Sequence, residues 1–432
     1  MNKIKDIALA DEGKMELAWA EKNMPILATV KKRFEKEKPL AGKKVSVALH
    51  LEKKTGQLIR TLQASGATIR VASCNPLTTD DRVAAALTQY DGIEVFAWAG
   101  QQKEDYYANL NHVLDSKPNL LIDDGGDLIN MVHFERQQLI ENIIGASEET
   151  TTGIIRLKAM EKKGALKFPI INANGAYSKH LFDNRYGTGQ SAIDAIMTIT
   201  NKLIAGKNVV IVGYGWCGRG LAIRARGLGA RTIVVEAGDR MPYAEEIEAS
   251  GWHKGLEALY EGFEVMNMDQ AAEIGDLFIT ATGNKHVIHQ KHIQKMKSGA
   301  MLANAGHFNV EIDIPGLKEL AKETKRINPN CEEFTLKDGR KIYLLSNGRL
   351  VNLARPAGQG HPLEIMDGSF AIQALALEYL AKNEGKLPIK VINIPTTLDD
   401  YVARMALEAH NILLKPLTEE QIKYLTGFRE GT

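Results

Sequence analysis

The sequence predicts an α/β protein with two parallel-sheet units. Short apolar runs alternate with amphipathic segments through the first third of the chain, a pattern typical of strands that are covered by helices. A second unit of the same kind begins near Asn208. The chain has 432 residues, more than one hydrophobic core ordinarily accommodates, so we expect two or three domains.

The first unit contains four predicted strands and a helix. The strands are V-S-V-A-L-H (45–50), the A-T-I-R-V-A-S run that ends at residue 73, V-F-A-W-A (95–99) and N-L-L-I-D-D (119–124), and K-T-G-Q-L-I-R-T-L-Q-A (54–64) has helical spacing. Ligands collect at the carboxyl ends of strands in parallel sheets. His50, Asn75 and Asp124 stand at such ends, although spacing alone leaves a structural role open.

The second unit carries a dinucleotide-binding fingerprint. In N-V-V-I-V-G-Y-G-W-C-G-R-G (208–220), Gly213, Gly215 and Gly218 follow a predicted strand and precede a helix. Glycines there permit a tight turn and a close approach of the backbone to a pyrophosphate. The next strand ends at Glu236, where an acidic residue accepts from the ribose hydroxyls of NAD and would repel the 2′-phosphate of NADP. The alternative is a purely structural glycine turn.

The remaining segments complete the α/β pattern. Strands are predicted at L-F-I-T-A-T-G (277–283) and A-M-L-A-N-A-G-H (300–307), a long apolar helix at 369–382, and a short segment for a partner subunit at 417–428. Just before the fingerprint, S-K-H-L-F-D-N (178–184) places Lys179 and Asp183 four residues apart. That spacing is typical of a weak ion pair on a helix surface, or it marks a base and its partner at a substrate.

Composition and charge exclude several classes of partner. Hydrophobic residues make up 44% and charged residues 25% of the chain, and the formal net charge is +1. The absence of a long basic run excludes nucleic acid and membrane surfaces as expected partners, and no apolar run approaches the roughly 20 residues of a membrane span. Cys74, Cys217 and Cys331 are widely separated and predict neither a metal cluster nor a disulfide framework. With an N-terminus that lacks a secretory apolar core, they predict a cytoplasmic protein.

Several separated stretches, taken together and in order, resemble one enzyme family, S-adenosylhomocysteine hydrolase. They are D-D-G-G-D (123–127), E-E-T-T-T-G (148–153), F-D-N-R-Y-G (182–187), G-Y-G-W-C-G-R-G (213–220), G-H-F-N-V-E-I (306–312) and G-R-L-V-N-L (348–353). The resemblance implies a homotetramer with tightly bound NAD in each subunit. Its fold would be a discontinuous substrate-binding α/β domain around an inserted Rossmann NAD-binding domain, with a short C-terminal oligomerisation segment. The boundaries expected on this basis are 1–187 and 353–403 for the substrate-binding domain, 188–352 for the NAD-binding domain and 404–432 for the C-terminal segment.

The chemistry that the resemblance implies is a reversible hydrolysis of a thioether to a nucleoside and homocysteine. The ribose 3′-hydroxyl is oxidised, which acidifies the C4′ proton. The homocysteine thiolate then leaves C5′, water adds, and the 3′-position is reduced again. Such a reaction needs bases at the sugar, a proton relay at C5′ and a dry site for hydride transfer.

The resemblance also assigns roles to individual residues. Lys179 matches a lysine beside the 3′-hydroxyl, and Asp183 a carboxylate near C4′. A lysine acts as a base only where its surroundings lower its pKa, so we expect a lowered pKa. The other catalytic positions are Glu149 at the ribose, His50 and Asp124 at C5′, and His307 at the substrate mouth. Substrate-binding positions are Glu52, Lys54, Asn75, Asn352 and His361, and cofactor-binding positions besides the glycines and Glu236 are Thr150, Thr151, Thr152, Asn184 and Asn304. No metal site is expected.

The chain departs from the family pattern at the purine end and in two loops. Glu52 as an acceptor and Lys54 as a donor could satisfy either adenine or hypoxanthine, so an S-inosylhomocysteine substrate is the alternative to the adenosyl compound. The stretch after Glu236 (237–252) is longer than in the family pattern, and so is the loop 353–360, whose Arg355 could read a different ligand. These loops leave two further hypotheses open, a paralogue acting on another nucleoside derivative and a degenerate NAD-binding regulatory protein.

Overall fold

The computed structural model describes residues 2–239 and 249–429. The strands are β1 (Lys44–Ala48), β2 (Thr68–Ala72), β3 (Ile93–Phe96), β4 (Leu120–Asp123), β5 (Gly145–Glu148), β6 (Ile170–Asn172), β7 (Asn208–Val212), β8 (Arg231–Val235), β9 (Glu264–Met266), β10 (Leu277–Thr280), β11 (Ala300–Asn304), β12 (Ala321–Asn328), β13 (Cys331–Leu336), β14 (Lys341–Leu345) and β15 (Val391–Asn393).

The α-helices are α1 (Ala10–Lys22), α2 (Pro25–Glu37), α3 (Lys53–Ala64), α4 (Asp81–Leu87), α5 (Lys103–Leu114), α6 (Asp127–Phe134), α7 (Thr151–Lys162), α8 (Tyr177–Lys179), α9 (Thr188–Thr200), α10 (Trp216–Gly227), α11 (Gly251–Tyr260), α12 (Met268–Ile274), α13 (Gln290–Ile293), α14 (Ile314–Leu320), α15 (Leu363–Lys382), α16 (Thr396–Ala409) and α17 (Glu419–Thr426). A π-helix, His180–Gly187, joins α8 to α9.

The first sheet is parallel throughout and has the strand order β3-β2-β1-β4-β5-β6-β15. Apolar side chains of α1 to α4, α15 and α16 cover one face, and those of α5, α6 and α7 cover the other. Because both faces are covered, these strands are almost continuously apolar. β15 pairs with β6, with Val391 opposite Ile170. The first sheet is therefore built from strands that precede the second sheet in the sequence and one that follows it, as predicted.

The second sheet has the order β9-β8-β7-β10-β11-β14, followed by an antiparallel addition of β13 and β12. The six parallel strands have the order typical of dinucleotide-binding folds. In that order, strands are added on one side of the first strand and then, after a crossover that reverses the direction of addition, on its other side. That reversal lies between β7 and β10. The predicted Rossmann unit is therefore confirmed, and the first sheet reverses in the same way between β1 and β4.

Some predicted boundaries were wrong by a few residues. The third strand ends at Phe96 rather than at residue 99, the strands at 277 and 300 end at Thr280 and Asn304, and the long helix begins at Leu363. Each strand ends where the chain turns into a loop at the carboxyl edge, a point that apolar composition alone does not mark. Among the described residues, no helix combines the length and the apolar character that crossing a bilayer requires.

Candidate active site

The point where the first sheet reverses direction brings together three of the predicted catalytic residues. His50 follows β1 and Asp124 follows β4, and the His50 Nε2 atom lies 3.3 Å from the Asp124 Oδ2 atom. His307, which follows β11 of the other sheet, places its Nδ1 atom 3.4 Å from the Asp124 Oδ1 atom. One carboxylate thus faces two imidazoles, and the group spans both sheets. We call it the histidine cluster.

Burial decides the charge of the histidine cluster. Removal from water lowers the pKa of His50 to about 4, against the opposing attraction of Asp124, and lowers the pKa of His307 in the same way. Both imidazoles are therefore neutral near neutral pH and can accept a proton. The His50 Nδ1 atom lies 2.9 Å from the Thr78 hydroxyl, which orients the ring. The ligand-type atoms of the three residues lie within 4.8 Å of one another, so the same group is also able to hold a metal ion.

The second group of predicted catalytic residues lies around the Lys179 ammonium. Its Nζ atom is 3.4 Å from the Glu149 Oε1 atom and 3.4 Å from the Asp183 Oδ2 atom. It also donates to the amide oxygens of Asn184 at 2.8 Å and Asn174 at 3.2 Å. We call Lys179, Glu149 and Asp183 the lysine cluster. All three side chains are buried, so the pair of Lys179 and Asp183 is not an ordinary surface ion pair.

The backbone around the lysine cluster is a π-helix, which the spacing argument did not anticipate. Lys179 ends α8, and the wider turns from His180 to Gly187 follow. Such turns are rare and frequently occur at functional sites. Here Asp183 and Asn184, four and five residues after Lys179, both contact its ammonium group.

The expected direction of the Lys179 pKa was wrong. Burial lowers the pKa, but Asp183 and Glu149, with a contribution from Asp124, outweigh burial and raise it above its usual value. The Asp183 pKa is also affected by burial, which raises it, but Lys179, His361 and Ser369 together hold it below its usual value. For Glu149 burial prevails and raises the pKa to about 8. Lys179 and Asp183 are therefore charged, and Glu149 is the member that changes protonation near neutral pH.

Three neighbours of the lysine cluster come from the C-terminal part of the chain. Ser369 donates to the Asp183 Oδ2 atom at 3.0 Å, and Gln373 donates to the Glu149 Oε2 atom at 2.5 Å. His361, predicted as a substrate-binding residue, makes a short contact between its Nδ1 atom and the Asp183 carboxylate. Sequence reasoning missed Ser369 and Gln373 because they lie in an apolar helix pattern. Polar residues inside such a pattern are the signal that could have identified them.

The two clusters belong to one site. Asp124 and Glu149 directly follow two residues that pair in β4 and β5, Asp123 and Glu148, and the Glu149 amide donates to the Asp123 carbonyl oxygen at 3.0 Å. Asp124 also contributes to raising the pKa values of both Lys179 and Glu149. Its charge therefore acts on the lysine cluster through the protein interior. A ligand bound between the clusters would contact an ammonium group and two carboxyl groups of the protein at one end, and two neutral imidazoles at the other.

At the predicted purine end, Glu52 and Lys54 contact each other. The Lys54 Nζ atom lies 2.8 Å from the Glu52 Oε2 atom and donates to the Gln359 carbonyl oxygen at 2.9 Å. Burial lowers the Lys54 pKa, although Glu52 opposes that shift. Lys54 also lines a cavity of about 210 Å³ together with Ser191 and His361. The pair therefore stands beside a space that a ligand could enter.

The other predicted substrate-binding side chains differ in whether their hydrogen-bonding atoms already have partners within the protein. Asn352 donates to the Ser191 hydroxyl at 3.1 Å, and its buried Oδ1 atom has no hydrogen-bond partner among the described residues. The Asn75 Oδ1 atom accepts from the Leu77 amide at 3.0 Å, which is a local turn contact. Arg355, which could read a ligand, has its guanidinium 3.3 Å from the Asp80 carboxylate.

The glycines of the fingerprint have the geometry that a dinucleotide requires. Gly213 has φ +100°, a conformation that favours glycine. A Cβ atom on Gly218 would lie 1.9 Å from the Gly213 carbonyl oxygen, whereas one on Gly215 would meet nothing within 4 Å. Gly215 therefore presents open backbone at the start of α10, where a pyrophosphate binds. Glu236 follows β8, and its carboxylate accepts from the Tyr214 amide at 2.6 Å, so the residues present fit NAD.

The remaining predicted cofactor contacts lie in several places. Thr150 precedes α7, and Thr151 accepts from Asn174 at 3.0 Å. The Thr152 hydroxyl lies close to Gly283, in the loop that follows β10, so α7 begins beside the second sheet. Asn184 contacts Lys179, as described above. The Asn304 side chain accepts from the Thr280 hydroxyl and the Gly306 amide. It donates to the carbonyl oxygens of Gly306, Phe308 and Gly348, and these bonds fix the loop after β11. Within the long stretch after Glu236, residues 240–248 lie outside the described residues.

Comparison with known proteins decides the family. The family model "S-adenosyl-L-homocysteine hydrolase" matches residues 1–138, and the model of that family's NAD-binding domain matches residues 184–358. The chain belongs to the S-adenosyl-L-homocysteine hydrolase family. It is 52% identical over 430 residues to the adenosylhomocysteinase of Sulfurisphaera tokodaii, covering 100% of this chain and 99% of the relative.

Relatives with two different names are equally similar to this chain. The S-inosyl-L-homocysteine hydrolase of Methanocaldococcus jannaschii is 54% identical over 432 residues, covering 100% of both chains. The adenosylhomocysteinase of Aquifex aeolicus is 52% identical over 429 residues, covering 99% of both chains. Membership in the family therefore brings an NAD-binding domain and leaves the purine base to be decided by experiment.

Proposed function

We propose that the protein catalyses the reversible hydrolysis of S-adenosyl-L-homocysteine to adenosine and L-homocysteine. The observation that carries this proposal is the position of the lysine and histidine clusters within one buried site. A nucleoside thioether needs proton transfers at the sugar and at the C5′–sulfur bond, and the two clusters supply groups for both ends. The two sheets that build the site correspond to a substrate-binding domain of residues 1–187 and 353–403 and an NAD-binding domain of residues 188–352.

At the sugar, the lysine cluster orients the ribose and exchanges protons with it. The Lys179 ammonium donates to the 3′-oxygen. The ionised form of Glu149 accepts from a ribose hydroxyl and takes up its proton, since a pKa of about 8 leaves both forms populated near neutral pH. Asp183 remains ionised and faces C4′. Its lowered pKa makes Asp183 a weak base, but the C4′ proton that it removes is already acidic once the 3′-position is oxidised. Lys179 and His361 hold the carboxylate in place for this transfer.

At C5′, the histidine cluster handles the protons of sulfur and water. Neutral His50 accepts a proton from the attacking water, and its contact with Asp124 stabilises the imidazolium that results. His307 contacts the other oxygen of the same carboxylate and closes this end of the site. His307 is buried and the His50 side chain is 13% exposed, so bulk water has little access to the reacting atoms.

NAD would be held by the backbone of the glycine turn, by Glu236 at the adenosine ribose, and by Thr150, Thr151, Thr152 and Asn184 along its length. When bound, it supplies hydride transfer at the 3′-carbon. Asn304 supports this site from within the protein by fixing the loop that carries His307. Asn352, whose Oδ1 atom has no hydrogen-bond partner among the described residues, binds the purine side of the substrate. Asn75 binds the amino-acid side.

S-Inosylhomocysteine is the second candidate substrate, and the Glu52–Lys54 pair favours considering it. Adenine offers a donor at N6 and an acceptor at N1, whereas hypoxanthine offers an acceptor at O6 and a donor at N1. A carboxylate beside an ammonium can satisfy either arrangement. The similarity to an S-inosyl-L-homocysteine hydrolase supports the same alternative.

Synthesis from the free components tests both candidates at once. The NAD-containing protein is incubated with homocysteine and equal amounts of adenosine and inosine, and the thioethers are separated by mass. A predominant adenosyl thioether supports the first proposal, and a predominant inosyl thioether supports the second. Absence of both products, in protein shown to contain NAD, would exclude the proposed function. Lys179→Ala serves as the inactive control.

We further propose a cytoplasmic homotetramer. Large apolar side chains at the C-terminus are exposed in the single chain, among them Leu413 at 81% and Phe428 at 91%, as expected of a segment (404–432) that packs on a second copy. Cys74, Cys217 and Cys331 are all free, which supports a reducing compartment. Mass photometry of the full chain and of a chain ending at residue 410 tests the assembly, since only the full chain should form a tetramer.

A further inference from the structure

Two buried side chains of α15 contact the two carboxyl groups that flank Lys179. Ser369 donates to Asp183 at 3.0 Å and Gln373 donates to Glu149 at 2.5 Å. Residues four apart lie on the same face of a helix, so a single turn of α15 reaches both carboxyl groups. Both Ser369 and Gln373 are 0% exposed. α15 is far in sequence from both carboxyl groups, since Ser369 follows Asp183 by 186 residues and Gln373 follows Glu149 by 224.

We infer that Ser369 and Gln373 are positioning residues that assign different protonation behaviour to the two carboxyl groups, keeping Asp183 ionised and allowing Glu149 to gain and lose a proton in place. The consequence for turnover rests on the function proposed above. The consequence for the titration of Glu149 does not.

The lysine itself cannot distinguish the two carboxyl groups. Its ammonium lies 3.4 Å from each of them, and both are buried. The difference must come from their other contacts. Asp183 also contacts His361 and accepts a hydrogen bond from Ser369. Apart from Lys179, the described residues give the Glu149 carboxyl one side-chain partner, the neutral Gln373 amide.

The charged groups around Glu149 act in opposite directions. Lys179 at the end of α8 favours the ionised form, and Asp183 of the π-helix and Asp124 at the end of β4 disfavour it. From α15, Glu149 meets only the amide of Gln373. Removing the Gln373 donor therefore raises the Glu149 pKa, because the hydrogen bond favours the carboxylate.

Gln373 is suited to both protonation states of Glu149. Its Nε2 atom donates to the carboxylate, while its buried Oε1 atom has no hydrogen-bond partner among the described residues. A carboxyl group that gains a proton becomes a donor. Rotation of the amide would then present Oε1 to that proton, so Glu149 keeps a partner whether or not it is ionised. An apolar residue or a charged one at position 373 would lack this property.

Infrared difference spectroscopy across pH tests this inference without relying on turnover. The band of the protonated Glu149 carboxyl, identified by its absence in Glu149→Gln, should titrate near pH 8 in the full-length NAD-containing protein. In Gln373→Met the midpoint should rise by about one pH unit, as expected for losing one hydrogen bond to a charged acceptor. Gln373→Asn, whose shorter amide withdraws the donor, should give the same shift if Gln373→Met does not fold.

Two matched variants separate a local effect from a general one. Gln57→Met removes another buried glutamine that donates a hydrogen bond, to the Leu17 carbonyl, and should leave the Glu149 midpoint unchanged. Ser369→Ala should also leave it unchanged while lowering the rate of thioether synthesis several-fold. An unshifted midpoint in both position-373 variants, or an equal shift in Gln57→Met, overturns the inference. Absence of thioether synthesis with the predicted titration would reject the proposed function alone.

Discussion

The lysine cluster and the histidine cluster are both largely buried, yet Lys179 is charged and the two imidazoles are neutral near neutral pH. Lys179 has two carboxylates at 3.4 Å, and their attraction outweighs burial, so its pKa rises. His50 and His307 share the single carboxylate of Asp124, and burial prevails, so their pKa values fall. The neighbouring carboxyl groups thus reinforce the difference between the reference pKa values of lysine, 10.5, and histidine, 6.5.

This difference suits the two ends of a nucleoside thioether. The charged cluster can hold and polarise hydroxyl groups of a ribose, whereas neutral imidazoles are free to accept a proton at C5′. Environments that separate the pKa values of neighbouring groups commonly separate their roles as acid and base. The four predictions below test that separation, beginning with the largest expected effect.

Lys179→Ala should abolish the function of the charged cluster. We expect thioether synthesis to fall by about 1,000-fold or more, the upper part of the range for a group that transfers or orients protons. Bound NAD, measured after denaturation of the protein, should remain near one per chain because the glycine turn and Glu236, which hold the cofactor in this proposal, make no contact with Lys179 among the described residues. Normal turnover in this variant would contradict the assignment.

His50→Gln should weaken the neutral cluster without affecting the charged one. We expect a loss of about 100-fold in synthesis rate, since glutamine fills the space but cannot accept a proton. The Glu149 titration should stay near pH 8, which infrared spectroscopy can measure. A shifted Glu149 midpoint would show that the clusters do not act separately.

The buried neutral His50 should make stability depend on pH. Its pKa is about 4 in the folded protein and 6.5 in the reference state, so the unfolded chain binds more protons below about pH 6.5, and stability falls as the pH drops towards 4. Between pH 7 and pH 5 this group should cost about 2 kcal/mol of unfolding free energy. Urea denaturation at both pH values should show that the loss is smaller in His50→Gln by that amount; an identical loss would contradict a buried neutral His50.

Lys54→Gln should change the preference for the base while leaving both clusters intact. Glutamine keeps a donor but removes the charge beside Glu52, so we expect the ratio of kcat/KM for adenosine and inosine to change by about tenfold. The synthesis assay with each nucleoside measures this ratio. An unchanged ratio, with normal activity, would indicate that the pair is structural.

Much of the fold followed from the sequence because its signals are local. Alternating apolar runs identified the strands of both sheets, and the glycine turn with Glu236 identified the dinucleotide-binding unit, since backbone geometry restricts those positions to a few residue types. The family resemblance predicted that His50 and Asp124 lie together, strand ends alone indicated only a shared edge, and the structure places the two side chains 3.3 Å apart.

Other features of the site depend on contacts that sequence patterns do not report. The π-helix after Lys179 retains the apolar and polar pattern of an ordinary helix. The raised Lys179 pKa results from Asp183 and from Glu149, which lies on a different element. Ser369 and Gln373 approach from a helix whose apolar sequence is typical of the core. The pairing of Glu52 with Lys54 was also unforeseen, because each was considered only as a partner for a ligand.

The separation between the clusters is tested most directly by exchange of the nucleoside C4′ hydrogen with solvent deuterium. The nucleoside that the protein turns over is incubated in deuterium oxide with NAD-containing protein, and deuterium at C4′ is measured by nuclear magnetic resonance. The account predicts exchange in the unmodified protein and in His50→Gln, and its loss in Lys179→Ala and Asp183→Asn. Undiminished exchange in Asp183→Asn, or an equal loss in His50→Gln, would contradict it.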